Sequence, residues 1–286
     1  MDRVRGNTVV VTGGARGIGF ATAKALLIRG ALVVIGDRDA GALETAVAEL
    51  RGAGAVLGYP LDVSDRDCFA QFLDMARAGV GGGIDVLINN AGVMPVGSFT
   101  AQPPHAIRSA LEVNLYGVLN GCQLVLPEMV ARRRGHIVNI ASMAGVMAIP
   151  GQVVYAASKF GVVGLSVAMA DEFASHGVHV TVVLPPFTQT DLIAGTKASG
   201  VGRPVRPDRV AAAIVGALDK PRTQVSVPRA ARFVGPAVSM LGTRGRRWLN
   251  KRVGADTLFL DDIDHAAREF YERRARSALG VVDPRD

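Results

Sequence analysis

The stretch VVYAASKFG at 153–161 carries two side chains that can do chemistry together. Tyr155 and Lys159 are four residues apart, so on a helix both lie on one face, one turn from each other. Tyrosine, with an ordinary pKa near ~10, is a poor base at neutral pH, but a cation within ~4–6 Å lowers that pKa by ~1–3 units. The spacing therefore allows a tyrosine that acts as a general base, although the same pair on its own is more often an ordinary feature of an amphipathic helix.

A serine precedes this pair in the sequence. Ser142 closes the stretch GHIVNIAS at 135–142, which is predicted to be a strand that ends at this serine. A hydroxyl group there can hydrogen-bond a substrate oxygen and hold it beside Tyr155. Open parallel sheets bind their ligands at the carboxyl ends of the strands, so Ser142, Tyr155 and Lys159 are expected at one edge of a sheet.

The stretch TGGARGIG at 12–19 lies between an apolar strand pattern and a helical pattern. Glycines there permit a tight turn and let the backbone approach a pyrophosphate, whose charge meets free N–H groups at the start of the helix. Glycine-rich turns also occur for steric reasons alone, but the strand–turn–helix context favours a dinucleotide site. The residues of this turn that would contact the dinucleotide are Gly13, Arg16, Gly17, Ile18 and Gly19.

Asp37 ends the second strand pattern, 18 residues after Gly19. A carboxylate at this place accepts hydrogen bonds from the adenosine ribose hydroxyls and repels a 2′-phosphate, which favours NAD over NADP. Arg16 and Arg38 favour NADP if either pairs with a 2′-phosphate, and they are ordinary loop charges if neither does. NAD is the predicted cofactor, with NADP as the alternative.

Apolar strand patterns alternate with helical patterns along most of the chain. The strand patterns are continuous runs of Val, Ile and Leu, which is typical of strands covered by helices on both faces. This alternation predicts an α/β fold of the Rossmann type, a doubly wound parallel sheet of about seven strands with helices on both faces. The predicted strands are 7–13, 31–37, 55–63, 84–92, 135–142, 178–185 and 223–228.

Composition limits the classes of protein to which the chain can belong. With 286 residues, 49% hydrophobic residues and 34 glycines, it suits one large α/β domain with an appendage and excludes overall disorder. Cys68 and Cys122 fit no C-x-x-C pattern, and the five histidines lack the spacing of metal ligands. No apolar run reaches the ~18–20 residues of a membrane span, and an apolar strand begins too early for a signal peptide. A cytoplasmic protein without a metal site is expected.

Several motifs occur in an order and spacing that resembles the short-chain dehydrogenase/reductase family. They are TGGARGIG at 12–19, Asp62 with Val63, NNAG at 89–92, Asn114, Ser142 and YAASK at 155–159. The resemblance covers about residues 5–228. It implies an enzyme that uses NAD or NADP to interconvert an alcohol and its carbonyl.

The resemblance also implies roles for single residues. Asp62 and Val63 would contact the adenine, Asn114 would bend its helix and hold a water in a proton relay, and Lys159 would donate to the nicotinamide ribose. The implied catalytic residues are Asn114, Ser142, Tyr155 and Lys159. Besides the glycine turn, the cofactor contacts are expected from Asp37, Arg38, Asp62, Val63, Asn90, Ala91, Gly92, Tyr155, Lys159, Thr188 and Thr190. Asn89 would help to stabilise the sheet.

The sequence departs from the family after the sixth strand. LPPFTQTDL at 184–192 has Pro186 where the family usually has glycine, and a second proline fixes φ and removes an N–H. Thr190 keeps the place of the family threonine that bonds the carboxamide, and Thr188 is a second candidate.

The substrate side is less defined in the sequence. The segment 190–204 is rich in Gly, Ala and Ser, which suits a mobile lid over the substrate. Six apolar residues near the motifs either line a substrate pocket or simply pack in the core. If they line a pocket, the expected substrate is a hydrophobic alcohol or ketone. These residues are Met94, Pro95, Phe99, Met143, Met147 and Ile149. Long helices at about 103–131 and 152–176 pair subunits in this family, which implies a homodimer or homotetramer.

Residues 229–286 are predicted to be a C-terminal extension of a dehydrogenase domain at 1–228. From Lys220 to the C-terminus the chain has 14 Lys and Arg against 8 Asp and Glu, which accounts for most of the net charge of +7. Residues 229–253 have the composition of a basic amphipathic segment, which either packs over the substrate site or a neighbouring subunit, or binds a membrane surface peripherally. Pro236 and Gly242 are expected to interrupt any single long helix there. Nucleic acid is not an expected partner, since no recognition motif accompanies the charge.

Two further functions fit parts of the pattern. A binding module that senses the cofactor without turnover would use the same fold, but the complete set of catalytic motifs favours an enzyme. Epimerisation or dehydration of a nucleotide sugar is argued against by the short chain, because that branch carries a larger C-terminal domain.

Overall fold

The computed structural model describes residues 4–196, 204–260, 263–264 and 266–268, apart from the side chain of Ser239. The predicted strands are all present within these ranges, each somewhat shorter than its apolar pattern. They are β1 Thr8–Thr12, β2 Leu32–Asp37, β3 Val56–Pro60, β4 Val86–Asn89, β5 Gly135–Ile140, β6 Val178–Leu184 and β7 Gln224–Ser226.

These strands form one parallel sheet of seven strands in the order β3-β2-β1-β4-β5-β6-β7. The order reverses between β1 and β4, so the connections leave the sheet in opposite directions at this point. Such a switch point opens a crevice at the carboxyl ends of the strands. The predicted Rossmann-type fold is confirmed.

Helices cover both faces of the sheet. They are α1 Gly17–Ile28, α2 Ala40–Leu50, α3 Arg66–Val80, α4 Pro104–Leu111, α5 Gly117–Ala131, α6 Val153–Phe173, α7 Pro207–Asp219, α8 Val234–Ser239 and α9 Thr243–Arg252.

Successive strand residues enter different cores, because side chains alternate between the two faces of a strand. In β1, Val9 and Val11 join the core formed with α1, α2 and α7, whereas Val10 joins the core formed with α3, α5 and α6. All three valines are fully buried. The continuous valine run therefore reflects a sheet that is buried on both sides.

Local sequence sets several of the helix ends. Asp39 and Asp65 precede α2 and α3, and each side chain accepts hydrogen bonds from backbone N–H groups of the first turn. Helix α3 ends at Gly81, whose φ of +67° is a left-handed conformation that glycine adopts readily.

The predicted single helix at about 103–131 is wrong in one respect. A π-helical turn at Glu112–Tyr116 separates α4 from α5. Asn114 lies in this turn. Turns of this kind insert one extra residue into a helix and are frequent at functional sites.

The C-terminal extension divides at Gly242, which precedes α9, as the sequence predicted. Pro236 does not interrupt a helix, because it lies in the first turn of α8, where a missing N–H costs little. Beyond α9 the chain returns to the sheet edge, and Ala255, Leu258 and Phe259 are buried in a third core with Met94 and Tyr155.

Helix α6 with its short continuation, Val153–His176, is long and apolar enough to cross a membrane by length and composition. Its inner face packs on β6, and it carries both Tyr155 and Lys159. This packing accounts for the apolar residues of the inner face.

Candidate active site

A cavity of about 480 Å³ lies at the carboxyl ends of the strands, beside the switch point. Nearly all of the residues that the sequence analysis singled out lie along its wall. They are Gly13, Arg16, Gly17, Ile18, Asp37, Arg38, Asp62, Val63, Asn90, Ala91, Gly92, Ser142, Tyr155, Lys159, Thr188 and Thr190. Gly19 and Asn114 are not among the residues that line it.

The glycine turn forms part of the wall in one half of the cavity. Gly17, with a φ of +55°, begins α1, and the preceding Arg16 gives the first turn no side-chain hydrogen bond. The first N–H groups of a helix have no intrahelical partner, so at this place they are suited to an anion. Gly19 packs so tightly that a Cβ there would lie 2.2 Å from the carbonyl oxygen of Gly13. This part of the cavity fits a pyrophosphate.

The carboxylate of Asp37 lies at the end of β2 and is held in place by backbone groups. Its two oxygens accept hydrogen bonds from the N–H of Ala15 at 3.1 Å and the N–H of Asp39 at 3.2 Å. Both bonds leave lone pairs for a ribose, since a carboxylate accepts about four.

The two arginines at this end of the cavity both face carboxylates. Arg16 pairs with Asp39 at 2.6 Å, and Arg38 lies 3.5 Å from Asp62. Asp62 also accepts hydrogen bonds from the backbone and hydroxyl groups of Ser64. The charges of both arginines are thus partly balanced within the protein.

Asn90 ties the loop after β4 to the glycine turn. Its amide donates to the carbonyls of Thr12 and Gly13, each at 2.9 Å, and the Thr12 hydroxyl accepts from the N–H groups of Asn90 and Ala91. The loop after β6 closes the other side, where Thr190 packs over Gly17. Thr188 is buried, and its hydroxyl donates to the carbonyl of Pro186.

Tyr155 and Lys159 lie on the inner face of α6, and both are buried. The Lys159 ammonium lies 5.8 Å from the centre of the Tyr155 ring and donates to the carbonyl of Ile140, the last residue of β5, at 2.9 Å. No ion pair joins Lys159 to a carboxylate in the described part of the chain. Burial lowers the pKa of Lys159 to about 8, so the group is still mostly charged at neutral pH.

Ser142 does not end β5, as the sequence predicted, but lies two residues beyond Ile140. Backbone hydrogen bonds continue beyond the strand, from Ala141 to Val183 and from Met143 to Pro185. Ser142 caps a short 3₁₀ turn at Met143–Gly145, its oxygen accepting from the N–H of Ala144. Its hydroxyl hydrogen has no acceptor among the described residues. It can therefore be donated to a molecule in the cavity.

Asn114 joins the loop after β4 to α6. Its side chain pairs with the backbone of Val93 by two hydrogen bonds of 2.8 Å and also donates to the Ser158 hydroxyl, which donates to the carbonyl of Tyr155. Both amide hydrogens of Asn114 are used in these bonds. The side chain therefore fixes the position of Tyr155, while its place in a water relay stays a prediction.

A buried polar cluster lies beneath the site. Asn89 donates to Asn139, its neighbour on β5, at 2.9 Å, and Asn139 donates to Ser166 of α6. Cys122 contacts both asparagines, and burial raises the pKa of its thiol to about 12. These bonds fasten α6 to the centre of the sheet.

The other half of the cavity is largely apolar. Of the six residues predicted there, Met94, Met143, Met147 and Ile149 line the wall, whereas Pro95 does not and Phe99 is 51% exposed. Phe187, Leu192 and Ile193 complete it without having been predicted. The predicted lid at 190–204 lies partly outside the described residues, and Asp191–Ile193 form a short 3₁₀ turn.

The C-terminal extension supplies a brace, formed by Arg268 and Phe259, neither of which was among the predicted site residues. Arg268 is buried, and its guanidinium donates to the carbonyls of Met94 and Leu192, two segments of the apolar wall. Phe259 stacks near Phe187, with ring centres 5.6 Å apart. The extension therefore holds the apolar half of the cavity in shape.

No cluster of metal-ligating side chains occurs among the residues that the structure describes. The site has instead the features of a dinucleotide cleft beside an apolar pocket, with a tyrosine, a buried cation and a serine between them.

The chain is similar in sequence and in fold to known proteins. Residues 7–199 match the family model for short chain dehydrogenase. The 3-oxoacyl-(acyl-carrier-protein) reductase of Thermotoga maritima is 38% identical over 191 residues, 66% of this chain and 77% of the relative. The cis-4-hydroxycyclohexanecarboxylate dehydrogenase of Sinomonas cyclohexanicum is 39% identical over 216 residues, 72% of this chain and 86% of the relative. The crystal structure of a short chain dehydrogenase/reductase from Burkholderia phymatum in complex with NAD has a TM-score of 0.76 at 26% identity, covering 90% of this chain and 98% of that chain.

The burial of Lys159 leads to a prediction about stability. Below a pH of about 8, Lys159 is charged in the folded protein, and folding carries the full cost of burying that charge. Between about pH 8 and 10.5, Lys159 loses its proton in the folded state but keeps it in the unfolded chain, so this cost falls. We therefore expect Lys159→Met to be more stable to urea than the wild type at about pH 7, with the difference in unfolding free energy falling by about 2 kcal/mol by about pH 10.

Lys220→Met, which removes an exposed lysine, is the matched control and should show no such change with pH. A difference between Lys159→Met and wild type that stays constant over this range would contradict the burial cost.

Proposed function

Because the chain belongs to the short-chain dehydrogenase/reductase family, we propose that it interconverts a hydrophobic alcohol and its ketone or aldehyde, with NAD as cofactor. Membership makes the chain an NAD(P)-dependent oxidoreductase. The single observation that carries the finer proposal is the buried pair Tyr155 and Lys159 on the wall between the dinucleotide cleft and the apolar pocket.

The proposed roles follow from where each group lies. In oxidation, Ser142 donates its hydroxyl hydrogen to the substrate oxygen and Tyr155 removes the alcohol proton. In reduction, Tyr155 returns a proton to the carbonyl oxygen. Lys159, whose charge is poorly screened in a buried site, favours the phenolate form of Tyr155. When bound, the nicotinamide supplies the acceptor or donor of the hydride.

The glycine turn, Asp37 and the loop after β4 would hold the cofactor. The N–H groups at the start of α1 fit its pyrophosphate, and Asp37 fits the adenosine ribose. Asp62 and Val63 would lie against the adenine, and Thr190 or Thr188 against the carboxamide.

NAD is favoured over NADP for two reasons. The Asp37 carboxylate would repel a 2′-phosphate, and the two nearby arginines already face Asp39 and Asp62. A phosphate would have to compete with these carboxylates for either guanidinium group.

The hydrophobic substrate is supported by the four methionine and isoleucine side chains that line the pocket together with Phe187. In this proposal residues 1–228 form the dehydrogenase domain, and the extension 229–286 completes the substrate side. A cytoplasmic location belongs to the same proposal.

A homodimer or homotetramer is supported by an apolar stripe on the outer face of α6. Val153, Phe160 and Val167 recur every seven residues and are 47%, 45% and 39% exposed. Tyr116, at the turn that precedes α5, is 58% exposed. Contiguous exposed apolar side chains of this kind mark interaction surfaces.

Replacement of Tyr155 by phenylalanine tests the chemistry. Tyr155→Phe should bind NADH as the wild type does but lose turnover by roughly 10²–10⁴-fold, because the proton acceptor is gone while the ring still packs. Cofactor absorbance with a panel of hydrophobic alcohols and ketones measures turnover, and Tyr116→Phe is the matched control. Near-normal turnover in Tyr155→Phe would refute the mechanism; NADH binding without any turnover in the wild type would favour a binding module.

Removing the charge at position 37 tests the preference for NAD over NADP. The wild type should show a higher kcat/KM with NAD than with NADP, and Asp37→Asn should reduce this ratio by about tenfold, which corresponds to ~1.4 kcal/mol. Asp65→Asn, which makes the same change at the start of α3 outside the cavity, should leave the ratio unchanged. A wild type that prefers NADP would overturn the choice of cofactor.

A charged residue introduced into the apolar stripe on α6 tests whether this face forms the subunit interface. Light scattering on a sizing column should give a multiple of 29.9 kDa for the wild type and a mass near the monomer for Phe160→Glu. Ile28→Glu, at a 69% exposed position on α1, is the control and should keep the wild-type mass. A monomeric wild type would contradict the proposed interface.

A further inference from the structure

Residues 229–253, here called the basic segment, have a one-sided charge. Seven lysines and arginines lie between positions 229 and 252, and no aspartate or glutamate does. They are Arg229, Arg232, Arg244, Arg246, Arg247, Lys251 and Arg252. Within the segment itself the positive charge is therefore not balanced by any acidic residue.

Among the residues that the structure describes, these cations also have no carboxylate partner. No ion pair links any of the seven to a carboxylate in the described ranges, whereas elsewhere Arg29 pairs with Asp219 and Arg77 with Glu128, at 2.8 and 3.0 Å. Arg232 lies instead over the ring of Phe233, 4.5 Å from its centre. The segment thus presents a concentrated positive field to its surroundings.

Large apolar side chains are exposed among these cations. Met240 is 87% exposed, Trp248 66%, Phe233 62% and Leu241 41%. Helix α9 has no buried residue at all, although it is well formed. Folding of this part of the chain therefore leaves both its charge and its large apolar side chains available to a partner.

The start of the basic segment forms part of the cavity wall. Ala231 and Val234 line the cavity, and Gly235 packs so closely on Val146 that a Cβ there would lie 3.1 Å from it. A partner bound to this part of the segment therefore lies close to the cavity.

We propose that the basic segment docks this face of the protein onto an anionic lipid surface. Lysine and arginine are attracted to anionic headgroups, while tryptophan and other apolar side chains enter the interface between headgroups and acyl chains. A surface of phosphates alone, as in a nucleic acid, would leave Met240 and Leu241 in water.

A second copy of this chain is a poorer occupant. A two-fold interface brings the same patch of both subunits together, so it would place seven cations against seven. The α6 stripe, which is apolar, is suited to that contact, whereas the basic segment needs a negatively charged partner.

Docking would bring the cavity close to the bilayer. A hydrophobic alcohol or ketone dissolved in the lipid could then enter the pocket without crossing water; this consequence rests on the proposed function, but lipid binding itself does not. The two therefore fail independently.

Trp248 makes the test direct, because it is the sole tryptophan of the chain. The full-length protein is titrated with vesicles of phosphatidylcholine alone or with added phosphatidylglycerol, and Trp248 emission is recorded. A blue shift with the anionic vesicles, weakened by salt and much smaller with the neutral ones, is the expected result.

Paired charge removals give the matched comparison. Arg244→Gln with Arg247→Gln, on α9, should weaken vesicle binding by about 25-fold, since each cation near an anionic surface contributes roughly fivefold. Arg51→Gln with Lys220→Gln removes the same charge after α2 and α7, at the opposite edge of the sheet, and should leave binding within about twofold of wild type.

Equal binding by the two double variants, or no emission shift with anionic vesicles, would overturn the proposal. A shift of equal size with duplex DNA in place of vesicles would also overturn it and assign the segment to nucleic acid. Turnover measured without vesicles should be the same in both variants, which separates this result from a failure of the proposed function.

Discussion

The site depends on the burial of one ammonium group. Lys159 is 4% exposed and donates to the backbone carbonyl of Ile140, so its charge is met by a dipole and not by a carboxylate. An acidic partner would cancel the field at Tyr155, whereas a carbonyl fixes the position of the ammonium and leaves its charge in place. Helix α6 must therefore pack tightly on the end of β5, and the connections at this edge of the sheet are built around that contact.

Two sets of hydrogen bonds hold α6 against the end of β5. Within the sheet, Asn139 reaches Ser166, which lies two turns beyond Lys159 on the same helix. At the edge, Asn114 pairs with the backbone of Val93 and reaches α6 through Ser158. Each bond is modest, but buried polar groups must be satisfied, so together they allow one position of the helix. The π turn at Asn114 is the local distortion that lets this side chain face inward.

The local pattern was sufficient for most of the fold, because the central strands are buried on both faces and so appear in the sequence as unbroken apolar runs. It was not sufficient for the helix predicted at about 103–131, since the π turn is set by Asn114 and Val93, 21 residues apart. Ser142 was placed at a strand end because periodicity cannot show where pairing stops. Arg268 was missed for the same kind of reason: its carbonyl partner on Met94 lies 174 residues away. Spacing did bring Ser142, Tyr155 and Lys159 to one cavity, because the carboxyl edge of a parallel sheet gathers them.

The brace formed by Arg268 and Phe259 lies in a different part of the chain from the family motifs. The residues that shape the apolar wall can therefore change independently of the residues that form the motifs. The match to the family model ends at residue 199, so the cofactor turn, the tyrosine and the lysine lie inside the shared region and the brace lies outside it. Sequence changes in the extension can reshape the apolar wall at Met94 and Leu192 without changing the residues of the family motifs. Relatives with the same motifs therefore share a chemistry with this chain, while their substrates can diverge through a part of the protein that the motifs do not include.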